Sequence, residues 1–160
     1  MKASIIMGSI SDRNLADKVI KILDDFNIEN ELKVISAHRT PDLAADFARN
    51  AELNGTEVII AIAGKAAHLA GVIAGITPLP VIGVPAKSST MDGLDSLLSV
   101  VQMPKGVPVA TVAIDGAENA GLLAAQILSV KYPKLRAKFK QYKQQLADEV
   151  QAMNEELEIR

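Results

Sequence analysis

The stretch Val58-Ile59-Ile60-Ala61-Ile62 decides the fold. Four of its five residues are β-branched and none is polar, which is the pattern of a strand buried on both faces; such strands belong to parallel sheets covered by helices. Two later runs read the same way, Val81-Ile82-Gly83-Val84 and Val109-Ala110-Thr111-Val112-Ala113-Ile114, and two shorter ones come earlier, Ala3-Ser4-Ile5-Ile6-Met7 and Lys33-Val34-Ile35. Five strands are expected, the last three buried on both sides.

The segments between them carry helical spacing. Leu15, Ala16, Val19, Ile20, Leu23 and Phe26 line one face of a first helix, with Asp12 placed to cap its start. Pro41 stands where a first-turn proline is tolerated, and Leu43, Ala44, Phe47, Ala48 and Ala51 continue a second helix until Asn54-Gly55 stops it. Residues 66–76 are apolar almost all round and rich in Ala and Gly, which predicts a deeply buried third helix. Residues 92–101 and 117–130 supply two more. The alternation predicts an α/β doubly wound, three-layer fold around a five-stranded parallel sheet. An extra C-terminal helix over about residues 133–157 carries Leu135, Phe139, Tyr142, Leu146, Val150, Met153 and Leu157 in a nearly heptad stripe. That stripe fits docking on its own domain or contact with another subunit.

Composition narrows the function. The 160 residues, 49% hydrophobic and 22% charged, suit one domain spanning 1–160 with its core in about 1–130. Seventeen Lys and Arg against nineteen Asp and Glu leave a formal charge of -2, so no basic excess favours nucleic acid. The absence of Cys removes thiolate nucleophiles and Cys-type zinc sites, and 3% aromatic content without Trp disfavours flavin stacking. No segment reaches the ~18 apolar residues of a membrane span and the apolar run before Gly8 is short, so a soluble cytoplasmic protein with no membrane partner is expected.

In an open parallel sheet, ligands bind beyond the carboxyl ends of the strands. Those ends read Gly8-Ser9-Ile10-Ser11-Asp12, Ser36-Ala37-His38-Arg39-Thr40-Pro41, Ala63-Gly64-Lys65-Ala66-Ala67-His68-Leu69 and Gly83-Val84-Pro85-Ala86-Lys87-Ser88-Ser89, and they hold both histidines of the chain. The first offers backbone N–H groups at a helix start, suited to a phosphate, though Ser-x-Ser-Asp before a helix also serves as an ordinary cap. Neither the dinucleotide glycine pattern nor the Walker spacing is present. In the second, His38 provides a titratable group beside the fixed charge of Arg39, a source of general acid/base chemistry or simply a surface pair at a helix start. His68 lies in an apolar segment, where a satisfied core histidine is expected. No carboxylate or third histidine stands at metal-ligand spacing, so no metal is expected. A phosphoacceptor receiver domain is excluded, because Met7-Gly8 and Ala63-Gly64 occupy the strand ends where it needs carboxylates.

Taken together, these loops resemble the PurE family, the N5-carboxyaminoimidazole ribonucleotide mutases of purine biosynthesis. The resemblance rests on Gly8-Ser9-x-Ser11-Asp12, Ser36-Ala37-His38-Arg39-Thr40-Pro41, Ala63-Gly64-x-Ala66-Ala67-His68-Leu69, Gly83-Val84-Pro85 and Gly93-x-Asp95-Ser96-Leu97-Leu98-Ser99, the last continuing through Val101-Gln102-Met103-Pro104 to Thr111. It runs from about residue 4 to residue 130. It implies a flavodoxin-like subunit of a homo-octamer that binds a small ribonucleotide and moves its carboxylate without a metal or organic cofactor. It further implies that His38 transfers protons. Ser9, Ser11, Asp12 and Arg39 would bind the ribonucleotide, with the phosphate near Ser11 and Arg39 and the ribose near Asp12. Ser36, Ala37, Gly64, Ala66 and Leu69 would line the pocket for base and carboxylate, with His68 close by. Two departures stand out: Lys65 occupies a position where many relatives have glycine, and Ala70 one where proline is familiar. The resemblance leaves open a direct aminoimidazole ribonucleotide carboxylase using carbon dioxide; a non-catalytic nucleotide-binding module is the alternative from another class.

Overall fold

A computed structural model describes residues 1–158. Five parallel strands, β1 (Lys2–Met7), β2 (Glu29–Val34), β3 (Val58–Gly64), β4 (Val81–Ala86) and β5 (Ala110–Thr111), form one sheet in the order β2-β1-β3-β4-β5. This is the flavodoxin-like order, with the sequence of strands reversing direction between β1 and β3. The six helices are α1 (Arg13–Asp25), α2 (Pro41–Asn50), α3 (Leu69–Ala74), α4 (Leu94–Val101), α5 (Ala117–Ser129) and α6 (Pro133–Glu158).

Strand alternation divides the core in two. Val58, Ile60 and Ile62 of β3 face the layer of α1, α5 and α6, while Ile59, Ala61 and Ala63 face that of α2, α3 and α4. Both sets are buried, which is why this strand reads as an unbroken apolar run. Two glycines mark close approaches. A Cβ on Gly83 of β4 would sit 2.3 Å from Val100 Cγ1 of α4, and one on Gly121 of α5 would sit 2.8 Å from the Ile22 side chain of α1. The α1 helix ends where Asn27, at φ +55°, turns the chain so that the Ile28 N–H reaches the Leu23 carbonyl, the bond of a Schellman cap.

Four expectations need correction. β5 holds only two ladder residues and is not buried on both faces, because it is the sheet edge; past it, the Val112 and Asp115 N–H groups still donate to the Gly83 and Pro85 carbonyls. β2 begins at Glu29, well before the expected run, and its largely polar sequence suits the opposite edge. The third helix is six residues long rather than spanning 66–76, and it is not buried all round: Leu69, Ala70 and Ile73 are buried while Val72, like Ile76 just past the helix, is exposed. Asp12 makes no side-chain cap; the Ser9 hydroxyl instead accepts the Ser11 N–H and starts a short 3-10 turn, Ile10–Asp12, that leads into α1.

The C-terminal helix divides between the two uses open to it. Leu135, Phe139 and Tyr142 pack on the domain, Leu135 being only 2% exposed, whereas Leu146, Val150, Met153 and Leu157 are uncovered. Among the described residues no helix is long and apolar enough to cross a membrane.

Candidate active site

A cleft of ≈ 450 Å³ opens at the carboxyl end of the sheet, where β1 and β3 part company with their neighbours' connections. Its walls come from the four strand ends singled out by sequence. Ser9, Ser11 and Asp12 follow β1; Ser36, Ala37, His38 and Arg39 follow β2; Gly64, Ala66 and Leu69 lie at the end of β3 and the start of α3. His68 is the one expected site residue that does not line the cleft itself.

Each wall is shaped by local hydrogen bonds. The Gly8 N–H donates to the Ile62 carbonyl at 3.0 Å, which carries the β1–β3 ladder one residue past the strand and fixes where the first loop departs. In the second loop the Thr40 N–H and hydroxyl both donate to the Ser36 carbonyl, at 2.8 and 2.9 Å, and close a tight turn that presents His38 and Arg39 outward. The Arg39 guanidinium is anchored from two sides: Nε donates to Ser36 Oγ at 3.1 Å and Nη2 to the Gly8 carbonyl at 2.8 Å. Two donors are thereby used to orient the group, and the rest of its planar fork is free for an anion.

His68 corrects the sequence reading. It is exposed, not a core histidine, and its Nδ1 lies 3.0 Å from His38 Nε2 with the two rings nearly perpendicular, at 88°. One of these nitrogens must carry the proton that the other accepts, so the tautomer of His38 is tied to that of His68. The apolar neighbours of His68 describe the rest of α3, not the residue before its first turn.

The electrostatics are mixed. Burial pushes the Asp12 carboxyl above its ordinary range; hydrogen bonds from Ser11 and the Ser9 backbone pull it back in part, and repulsion from Asp115 adds to the rise. Lys87 borders the cleft, and its Nζ is 2.8 Å from Asp92 Oδ1, a bond that raises the ammonium's pKa. The Lys87 backbone N–H donates to Asp115 Oδ1 at 2.8 Å, and the Ser88 hydroxyl donates to Asp95 Oδ1 at 2.7 Å. A Cβ on Gly8 or Gly64 would meet nothing closer than 3.8 or 3.6 Å, so protein packing does not demand glycine at either position. Among the described residues no group of three or more His, Asp or Glu side chains is placed to hold a metal ion.

Gly8, Ala63, Lys65, Lys87, Ser88 and Ser89 complete the lining, beyond the residues expected from sequence. The signal that marks them is position at the end of a parallel strand, and the fourth such end carries Lys87-Ser88-Ser89.

Three comparisons bear on this geometry. The model of a family described as AIR carboxylase matches residues 2–149. The N5-carboxyaminoimidazole ribonucleotide mutase of Pyrococcus abyssi is 59% identical over 145 residues, covering 91% of this chain and 83% of that protein. The enzyme of the same name from Thermotoga maritima is 56% identical over 157 residues, 98% of this chain and 92% of that one. Among solved structures, Treponema denticola PurE superposes with a TM-score of 0.86 at 31% identity, covering 93% of each chain.

Proposed function

The chain belongs to the AIR carboxylase family, and from that membership we propose that it is an N5-carboxyaminoimidazole ribonucleotide mutase. It is an isomerase of purine biosynthesis, moving a carboxylate from the exocyclic nitrogen of aminoimidazole ribonucleotide to a carbon of the imidazole ring. The observation that carries the mechanism is the meeting of His38 and His68, 3.0 Å apart, beside a cleft that also gathers Arg39 and the Ser9–Ser11 turn.

The phosphate of the substrate is the group for the helix start and Arg39, where N–H dipoles and the anchored guanidinium converge. The ribose hydroxyls donate to Asp12, returning to its carboxylate hydrogen bonds that burial withholds. The base and its carboxylate then lie along Ser36, Ala37, Gly64, Ala66 and Leu69. His38 gives a proton to the carbamate nitrogen; the nitrogen–carbon bond breaks, releasing carbon dioxide and an aminoimidazole whose ring carbon is nucleophilic. That carbon attacks the retained carbon dioxide, and His38 removes the proton left on it, so one imidazole returns to its starting state at the end of each turnover. His68, held against His38, keeps the ring oriented through both transfers. Recapture must outpace escape, and a confined space achieves this by proximity.

The working form we propose is a homo-octamer in the cytoplasm that needs no metal or organic cofactor. The uncovered Leu146, Val150, Met153 and Leu157 of α6 and the exposed Val72 and Ile76 near α3 support assembly, since these apolar surfaces otherwise face water. Charge on α6 supports a helix-to-helix contact: Lys134, Arg136, Lys138, Lys140 and Lys143 fill its first half, and Asp148, Glu149, Glu155 and Glu156 its second. An antiparallel pair of such helices sets basic half against acidic half.

The test is the initial rate of 4-carboxy-5-aminoimidazole ribonucleotide formation, followed by ultraviolet absorbance, from the carbamate and separately from aminoimidazole ribonucleotide with bicarbonate. Fast conversion of the carbamate and poor use of the second mixture is the expected result. The reverse preference makes the protein a direct carboxylase, and no product from either overturns the enzymatic reading.

A further inference from the structure

Of the four non-glycine residues with positive φ among the described residues, Asn27, Asp92 and Asp115 are of the types that tolerate the left-handed region through their short polar side chains; the fourth is Lys65, at φ +55°. A long unbranched side chain gains nothing from that backbone, which glycine would adopt without strain. The chain nevertheless places a lysine there, on the wall of the cleft, between Gly64 and Ala66. Backbone strain at such a position marks a residue kept for what its side chain does.

The charges around it indicate what that is. The cleft has three cationic residues in its lining. Arg39 is anchored to the Gly8 carbonyl and Ser36, and Lys87 is paired with Asp92 at 2.8 Å. Among the described residues lining the cleft, Lys65 is the cation with no ion pair or side-chain hydrogen bond. It stands three residues before His68 on the same short loop, and His68 Nδ1 lies 3.0 Å from His38 Nε2, while Arg39 and the Ser9–Ser11 turn already offer donors for the phosphate.

We propose that Lys65 is a specificity residue for the carboxylate of the nucleotide, an ammonium that distinguishes carboxylated from decarboxylated aminoimidazole ribonucleotide. The proposal rests on the mutase reading and goes further in giving this chain a charged contact on the migrating group. Holding the carboxylated forms more tightly than the decarboxylated one favours recapture over release of the intermediate.

The test is isothermal titration of two nucleotides, 4-carboxy-5-aminoimidazole ribonucleotide and aminoimidazole ribonucleotide, against the wild type, Lys65→Gly, Lys65→Met and Lys65→Arg. Lys65→Gly suits the backbone and is expected to melt no lower than the wild type. Loss of one charge-assisted contact should weaken the carboxylated nucleotide by about tenfold in the Gly and Met variants, leave aminoimidazole ribonucleotide within about twofold, and be largely restored by Arg. Unchanged affinity for the carboxylated nucleotide overturns the proposal, as does equal weakening of both ligands, which would assign Lys65 to the phosphate. Failure of the wild type to bind either nucleotide is a different result and removes the mutase reading itself.

Discussion

Replacing His68 with Leu separates a histidine that acts through His38 from one that merely sits near it. The structure gives the size of the effect. His68 makes one side-chain hydrogen bond to His38, 3.0 Å between Nδ1 and Nε2, and its own side chain is exposed. A neutral hydrogen bond of this kind contributes about 1–1.5 kcal/mol. If it serves to hold the His38 ring and its tautomer in the reactive arrangement, that energy is lost from the transition state, and kcat/KM falls by about five- to twelvefold. Because the residue is exposed, folding stability should change by less than about 0.5 kcal/mol. His68→Gln, which keeps a donor and an acceptor, should recover part of the loss. The assay is the absorbance-monitored conversion of the carbamate, run beside urea unfolding of the same preparations. A His68→Leu enzyme within twofold of the wild type in kcat/KM refutes the coupling. So does a variant whose activity falls only in proportion to its unfolded fraction.

His38→Asn should still bind the nucleotide and lose nearly all turnover, at least a hundredfold by the usual weight of general acid/base catalysis; near-normal turnover with normal binding removes His38 from the mechanism. Gly83→Ala should destabilise the protein by about 2–3 kcal/mol in urea unfolding, since its Cβ would lie 2.3 Å from Val100 Cγ1, with Val109 and Ala70 leaving little room to shift. Glu31 has a sign that can be worked out. Burial alone would raise its carboxyl, but hydrogen bonds from Ser4, Lys33 and Lys2 outweigh that and hold it below the ordinary 4.5. The unfolded chain therefore binds more protons near that pH, so the stability Glu31 supplies is complete above about pH 4.5 and drains away as pH falls through the folded value. Glu31→Gln should accordingly cost about 1 kcal/mol at pH 7 and progressively less as the pH falls below 4.5, and a cost that does not change with pH would contradict this reading. If the proposed octamer is the working form, removing residues 144–160 should leave the domain folded and reduce the mass seen in light scattering from that of an octamer to that of a smaller species; an unaltered mass would take the second half of α6 out of the assembly.

What the sequence reveals of this molecule depends on whether a residue's setting is decided by its near neighbours. β3 and β4 are legible because both their faces are covered, so every position reports burial in the same way. β2 and β5 are edges. Glu29-Asn30-Glu31-Leu32-Lys33-Val34 is polar enough to pass for a loop until β1 lies alongside it, and of the long apolar run at 109–114 only Ala110 and Thr111 find ladder partners. Propensity cannot report how much sheet is left to pair with.

The site obeys the same division. Ten of the eleven expected residues line the cleft: one rule of topology, ligands at the carboxyl ends of parallel strands, locates the loops, and the family resemblance selects the residues within them. The resemblance puts His68 close to the pocket, but its contact with His38 is not legible, because it depends on a residue thirty positions away coming within 3.0 Å of it across the crevice. Its neighbours Ala67, Leu69 and Ala70 are buried while His68 itself is exposed, so the hydrophobic average over residues 66–76 misstates the setting of His68. Lys65 takes a left-handed conformation and α3 begins only at Leu69, so His68 lies before the first turn of the helix, within reach of His38. Where the helix starts, which periodicity does not encode, thus decides that a segment reading as core is in part a loop beside the cleft.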